Sequence, residues 1–292
     1  MSKIDEKLFF LTFSVFSKIG PITFQKLINY FKSASKAAQA DKADLIRAGV
    51  NLKIVDAYIF FRKKFNPQNY LNHLTKNQIS IITLVDENYP YGLNQISDPP
   101  FLLYLKGKLL KKDQKSISIV GTRNITSYGK SQTIRFTSDL VENGYTIVSG
   151  LAYGVDILAH QTAINASGRT IAVLGSGINV VYPINHLSIY EKIITGHGAV
   201  LSEFPPNTQP KKQNFLIRNR IISGLSQGVL VVEGAIKSGT KNIATHAANQ
   251  GRDVFAIPGP ISSVHSQTPN DLIKNGAKLV TSVNDILEEL NY

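Results

Sequence analysis

An α/β fold, with a doubly wound and mostly parallel sheet behind a small all-α segment, is what the sequence predicts. Three observations carry it. Between residues 116 and 173, short β-branched runs (Ile117–Val120, Thr146–Val148, Thr170–Val173) alternate with two helix-length amphipathic segments, the pattern of βαβ units. The first two runs end in small residues, Gly121-Thr122-Arg123 and Ser149-Gly150-Leu151-Ala152-Tyr153-Gly154, as tight strand-to-helix turns require. Residues 1–66, by contrast, read as helices, with apolar positions at helical spacing.

Taken in order, Leu8, Leu11, Val15 and Phe16 keep a helical period that Gly20-Pro21 breaks. Phe24, Leu27, Ile28 and Phe31 restart it, and Asp44-Leu45 opens a further short helix ending near Gly49. The piece KIGPITFQKLINYF reads in two ways. It is either a helix-hairpin-helix, whose glycine turn offers backbone N–H groups to a phosphate, or an ordinary helix–helix corner. Residues 67–79 form a connector with some helix. Ser80–Val85 and Phe101–Leu105 are strand candidates on either side of a turn-rich stretch holding Tyr89-Pro90 and Asp98-Pro99-Pro100. Beyond Val173 come strands at Ala199–Glu203, Val229–Glu233, Val254–Ile257 and Lys278–Val280. Helices are expected at His186–Ile194, Phe215–Leu225, Asn242–Gln250, Asp271–Lys274 and Asn284–Leu290. The sum is about seven parallel strands in a Rossmann-like domain over residues 80–292, after a helical domain over 1–66.

Composition narrows the setting. The chain has no cysteine, which excludes disulfides and thiolate chemistry and fits a reducing cytoplasm. No apolar run approaches the roughly 20 residues of a membrane span, and the N-terminus lacks the charge order and cleavage site of a signal peptide. The net charge is +12, and it is uneven: residues 1–78 hold 13 Lys/Arg against 5 Asp/Glu, the remainder 19 against 15. A basic balance suits a polyanion partner, and spread-out lysines equally suit a solvated surface.

In open α/β sheets, ligands bind where strands end and helices begin, because unpaired backbone N–H groups point outward there. Four such places carry glycine: Gly121-Thr122-Arg123, Ser149-Gly150, Gly175-Ser176-Gly177 and Lys237-Ser238-Gly239-Thr240-Lys241. Along one edge they would form a row of anion cradles rather than a single pocket. The stretch around Phe215 adds Lys211, Lys212, Arg218 and Arg220, and basic groups interleaved with an aromatic suit a single strand whose bases can stack. Enzyme signatures are missing. GSGINV at 175–180 has valine at the third glycine of a dinucleotide fingerprint, Ser238-Gly239-Thr240 lacks the preceding residues of a P-loop, and no Gly-x-Ser-x-Gly elbow is present. The 6 histidines show no metal-ligand spacing. Asp156 and His160, four apart on one helix face, read either as an acid–base pair or as a buried helix-stabilising contact.

These residues also carry a family resemblance. IVGTR…YG (119–129), IVSGLAYGVDILAH (147–160), TIAVLGSGINVVYP (170–183), GAVLSEFPP (198–206), RNRIISGLS (218–226) and the SGT…GRDVFAIPG run (238–259) resemble the DNA-processing protein A (Smf) family, in order and almost without interruption from Tyr89 to Ala277. The N-terminal helices resemble that family's SAM-like, helix-hairpin-helix domain. The resemblance implies a non-enzymatic, cofactor-free binder of single-stranded DNA. Such a protein protects incoming DNA in natural transformation, loads the RecA recombinase and works as a homodimer in the cytoplasm, off the membrane. It further implies that Arg123, Arg218, Asn219 and Arg220 meet phosphates, that Phe215 is the family's aromatic, and that Ser149-Gly150 and Ser238-Gly239 line the same groove. Leu216 stands where the family usually has proline, Thr268 where glycine is usual, and Lys241 and Ile243 replace an apolar residue and a threonine; Lys241 offers a further phosphate contact. Many members end in a winged-helix domain, and this chain stops at Tyr292 without one. The alternative on the same fold is a nucleotide-processing enzyme of the lysine-decarboxylase-like phosphoribohydrolase kind, or a nucleotide sensor. The enzyme's Pro-Gly-Gly-x-Gly-Thr-x-x-Glu loop has no counterpart in residues 233–240.

Overall fold

The computed structural model describes residues 3–236 and 238–290. Its first layer is helical: α1 (Lys3–Val15), α2 (Pro21–Phe31), α3 (Ala34–Gln39), α4 (Lys42–Arg47), α5 (Leu52–Lys64) and α6 (Pro67–Lys76). Caps set these boundaries. Pro21 occupies the first turn of α2, where a missing N–H costs nothing. Asp41 accepts from Asp44 N at 2.8 Å, so α4 begins ahead of the predicted Asp44. The connector expected over 67–79 is mostly a regular helix, capped by Asn66 and opened by Pro67.

The chain then enters one nine-stranded sheet: β1 (Ser80–Thr83), β2 (Leu102–Gly107), β3 (Ser116–Val120), β4 (Thr146–Ser149), β5 (Thr170–Leu174), β6 (Gly198–Ser202), β7 (Gly228–Val231), β8 (Asp253–Ala256) and β9 (Lys278–Leu279). The spatial order is β1-β2-β6-β5-β4-β3-β7-β8-β9. β1 and β2 are antiparallel additions at one edge, and β3 to β9 are all parallel, as the sequence predicts. The chain winds outward from β3 to β6, then returns to the other side of β3 with β7. The β3–β7 boundary is therefore the topological switch point, where helices leave in opposite directions and open a crevice at the strand ends.

Helices fill both faces: α8 (Ser127–Glu142), α9 (Val155–Asn165), α10 (Leu187–Lys192), α11 (Lys212–Leu225), α12 (Gly239–Asn249), α13 (Gln267–Lys274) and α14 (Val283–Leu290), with a single-turn α7 (Tyr91–Asn94) between β1 and β2. Strand residues alternate between two cores. Val120, Val148, Ile171, Val173, Val229 and Val231 face Ile221, Ile222 and Leu225 of α11. Ile117, Ile119, Ile147 and Leu230 face Phe136 and Leu140 of α8 and Ala159 and Ala163 of α9. Because both faces are covered, these strands read as nearly continuous apolar runs, interrupted in β3 by buried Ser118, which donates to Ile222 O. The N-terminal helices share a continuous core with the β2 side of the sheet: Phe24 stacks on Phe101 with ring centroids 4.1 Å apart, and Ser14 Oγ lies 2.9 Å from Tyr104 Oη.

Candidate nucleic-acid interface

The crevice at the switch point is an open cleft of about 750 Å³. Its walls come from the end of β3 (Val120–Arg123), the turn after β4 (Ala152), the first turn of α9 (Asp156), the first turns of α11 (Lys212, Phe215, Leu216, Arg218, Asn219) and the N-terminus of α12 (Ser238, Gly239, Thr240, Asn242). Both helices start earlier than their apolar periods suggest. α11 opens at Lys212, so Lys212 and Phe215 share one face of its first turn, and α12 opens at Gly239, so its unpaired N–H groups face the cleft. Neither Lys211 nor Ser238 caps its helix through a side chain, and Ser238 Oγ is buried without a partner.

Phe215 is half-buried between two cations. The guanidinium carbons of Arg123 and Arg218 each lie 5.9 Å from its ring centroid, and Tyr182 lies 5.8 Å away, tilted by 44°. The ring also packs against Gly175, where an added Cβ would come within 2.6 Å of it. Arg123 is exposed at the rim, whereas Arg218 is buried at 4% exposure. Arg218 reaches past Gly150 to donate to Val173 O, and a Cβ at Gly150 would sit 2.0 Å from its Nη1; only glycine leaves that path open. Burial, opposed by Asp156 and reinforced by Arg123, brings the Arg218 pKa down to about 10, so the group stays charged at neutral pH.

The predicted site residues divide. Gly121, Thr122, Arg123, Lys212, Phe215, Arg218, Asn219, Ser238, Gly239 and Thr240 meet around the cleft. Ser149 is fully buried and donates to Ile119 O, and Gly150 contributes the space for Arg218 while its N–H goes to Asp156. Lys211 lies exposed just ahead of α11, and Lys241 forms an exposed ion pair with Asp271 at 2.8 Å rather than facing the cleft. Lys237 lies outside the described residues. Arg220 does not belong to the site: at 3% exposure it points to the back of α11, paired with Asp98 at 2.9 Å and Glu203 at 2.7 Å. A helix turns by about 100° per residue, so positions 218 and 220 face opposite ways, which the sequence motif conceals. The row of cradles is also interrupted. Gly175-Ser176-Gly177 is spent internally, with Gly177 N donating to Thr208 O and Ser176 O accepting from Ser202 Oγ. Thr268, in the place of a usual glycine, is buried and donates through Oγ1 to Ala235 O.

Asp156 and His160 do not pair with each other. Asp156 lies in the cleft floor, its carboxyl pushed up by burial and held back by Arg218 and the N–H groups of Ala152 and Gly150. His160 makes a 2.6 Å contact to Thr170 Oγ1, whose own proton goes to Ile147 O, so the ring carries hydrogen on Nδ1. Its Nε2 is buried without a partner. Burial first, then Arg218 and His186, lowers the His160 pKa from 6.5 to about 3. Between those values the unfolded chain takes up a proton at His160 that the folded chain refuses, so the His160 contribution to stability is full above pH 6.5 and is lost as the pH drops towards 3. The loss should grow steadily with falling pH through that window. Urea unfolding at pH 7 and pH 5 checks it, and His160→Gln should flatten the difference between the two.

Sequence reasoning missed Tyr182, Asn242 and the floor role of Asp156. Asn242 accepts from Asn219 Nδ2 at 3.0 Å and so ties the two cleft helices together; Tyr182 lay inside the TIAVLGSGINVVYP motif, an aromatic in the loop that follows β5. Among the described residues no cluster of His, Cys, Asp and Glu could hold a metal, and no helix is long and apolar enough to cross a membrane.

Comparison with known proteins follows the same lines. Residues 80–291 match the profile of the DNA recombination-mediator protein A family. The chain belongs to that family. It is 46% identical over 214 residues to the DNA processing protein DprA of Bacillus subtilis, covering 73% of this chain and 71% of that one. To the protein Smf of Escherichia coli it is 36% identical over 289 residues, 99% of this chain and 76% of the other. The crystal structure of DNA processing protein A from Streptococcus pneumoniae superposes with a TM-score of 0.84 at 33% identity, covering 99% of both chains. The DNA processing protein A of Helicobacter pylori, described for its single-stranded DNA binding mode, superposes with a TM-score of 0.65 at 31% identity over 73% of this chain and 95% of its own. A role in DNA processing and recombination is therefore that of the family.

Proposed function

We propose that the chain binds single-stranded DNA in the switch-point cleft, without catalysis, and so acts as a recombination mediator that protects incoming strands and loads RecA as a homodimer in the cytoplasm. The observation that carries the reading is Phe215, held half-buried between Arg123 and Arg218 at the mouth of a cleft that also holds Lys212 and the α12 N-terminus. An aromatic face flanked by cations gives a base something to stack on and its phosphates something to pair with. Such groups read backbone and π-face rather than base edges, so tolerance of sequence follows. The likeness to the H. pylori protein supports the same ligand.

A nucleotide enzyme on this fold is disfavoured by Glu233. Its carboxylate accepts from Thr126 N and Thr126 Oγ1 at the start of α8, so the helix N-terminus after the first strand of the parallel sheet, where a dinucleotide fold seats its pyrophosphate, is already filled by an acid. Competition between single-stranded DNA, duplex and mononucleotides tests the proposal. The expected order is single strand first, duplex well behind, mononucleotides weakest and released intact. Tight mononucleotide binding with release of free base would overturn it in favour of the enzyme.

A further inference from the structure

Arg220 is conspicuous because it sits in an arginine-rich motif yet faces away from the cleft. Its side chain joins separate stretches of chain: Nε meets Asp98 of the 86–100 segment at 2.9 Å, and Nη2 meets Glu203, at the head of the loop leading to α11, at 2.7 Å. Its own carbonyl accepts from Gln250 Nε2, beyond α12, at 3.0 Å. The same 86–100 segment grips the C-terminal half of α11. A Cβ at Gly92 would stand 2.4 Å from Gly224 O, and one at Gly224 would stand 2.8 Å from the Leu93 side chain, so helix and segment meet where neither has a side chain. Arg252 Nη2 locks the far side by donating to Gly92 O at 3.1 Å.

We infer that Arg220 is a positioning residue for the cleft: by anchoring the back of α11 to Asp98 and Glu203 it fixes where Phe215, Arg218 and Asn219 stand on the front. The inference rests on the cleft being the strand-binding site. It makes the segment between β1 and β2 part of the binding apparatus, although none of that segment lines the cleft.

Salt dependence separates placing from touching. Each phosphate contact to a single strand contributes about 0.7 to the slope of log affinity against log salt, and a residue that only positions others contributes nothing. The experiment measures oligo(dT) affinity and its salt slope for the full chain, for Arg220→Gln and for the milder Asp98→Asn. Losses of about tenfold and about threefold are expected, both with the wild-type slope, and Arg220→Lys should recover part of the first. In an Arg218→Ala background the same changes should cost clearly less, because one of the groups they place is already gone. The inference is overturned if the losses add in full, if the slope falls by about 0.7, or if affinity per folded molecule stays at the wild-type value. Arg123→Ala serves as the control. If it too binds as wild type, the cleft reading itself has failed, a result distinct from failure of Arg220 alone.

Discussion

Glu203→Ala is expected to destabilise the folded chain by about 3–5 kcal/mol, the usual cost of leaving one member of a buried ion pair without its partner. Arg220 is 3% exposed and the Glu203 side chain 12%, so water can replace the lost carboxylate only poorly. Burial works against the Arg220 charge, and Glu203 with Asp98 more than offsets it, holding its pKa above the ordinary arginine value. Without Glu203 the guanidinium keeps only Asp98, which is itself 36% exposed. Burial also pushes the Glu203 carboxyl up, against the pull of Arg220, so Glu203→Gln, which keeps the shape and an acceptor oxygen, should cost less than alanine. Urea unfolding of the three proteins at pH 7 decides it. An alanine variant as stable as the wild type would mean the pair contributes nothing.

Arg123→Ala is expected to weaken single-stranded DNA binding by about 1.5–3 kcal/mol, the worth of a charge-assisted hydrogen bond to phosphate, with an unchanged melting temperature. Its guanidinium is exposed and its described side-chain neighbour is the Phe215 ring at 5.9 Å, so the fold has little need of it. Arg218 offers no such clean separation, since it is buried and bonded to Val173 O. Filter binding beside a thermal melt measures both quantities. Wild-type affinity in an intact fold would remove Arg123 from the site.

The sheet was legible because its strands are buried on both faces and therefore appear as plain β-branched runs, and because glycine marks the turns at their ends. β2, mostly buried, was readable for the same reason, whereas the edge strand β1, exposed at its start, was readable only as a short β-branched run. Helix starts were less so. α11 and α12 begin on polar residues, Lys212 and Gly239, ahead of their apolar periods, and it is those polar first turns that build the cleft. Direction was hardest. Arg218 and Arg220 look equivalent in sequence, yet one turns to the cleft and the other to Asp98 and Glu203, and nothing local distinguishes them. Gly175-Ser176-Gly177 resembles the other strand-end turns and is consumed by the loop at Thr208, a partner 31 residues or more away in the chain that no pattern announces.

The most direct test of strand binding in the cleft is the salt dependence of affinity for a short oligo(dT), taken with the wild-type chain and with Arg123→Ala in one titration series. With about 3–5 phosphates neutralised by Arg123, Lys212, Arg218 and the α12 N-terminus, the slope of log affinity against log salt should be about −2 to −3.5, and the variant should be shallower by about 0.7. A slope near zero, or one that Arg123→Ala leaves unchanged, would contradict a phosphate track through this cleft and move the DNA site elsewhere on the chain.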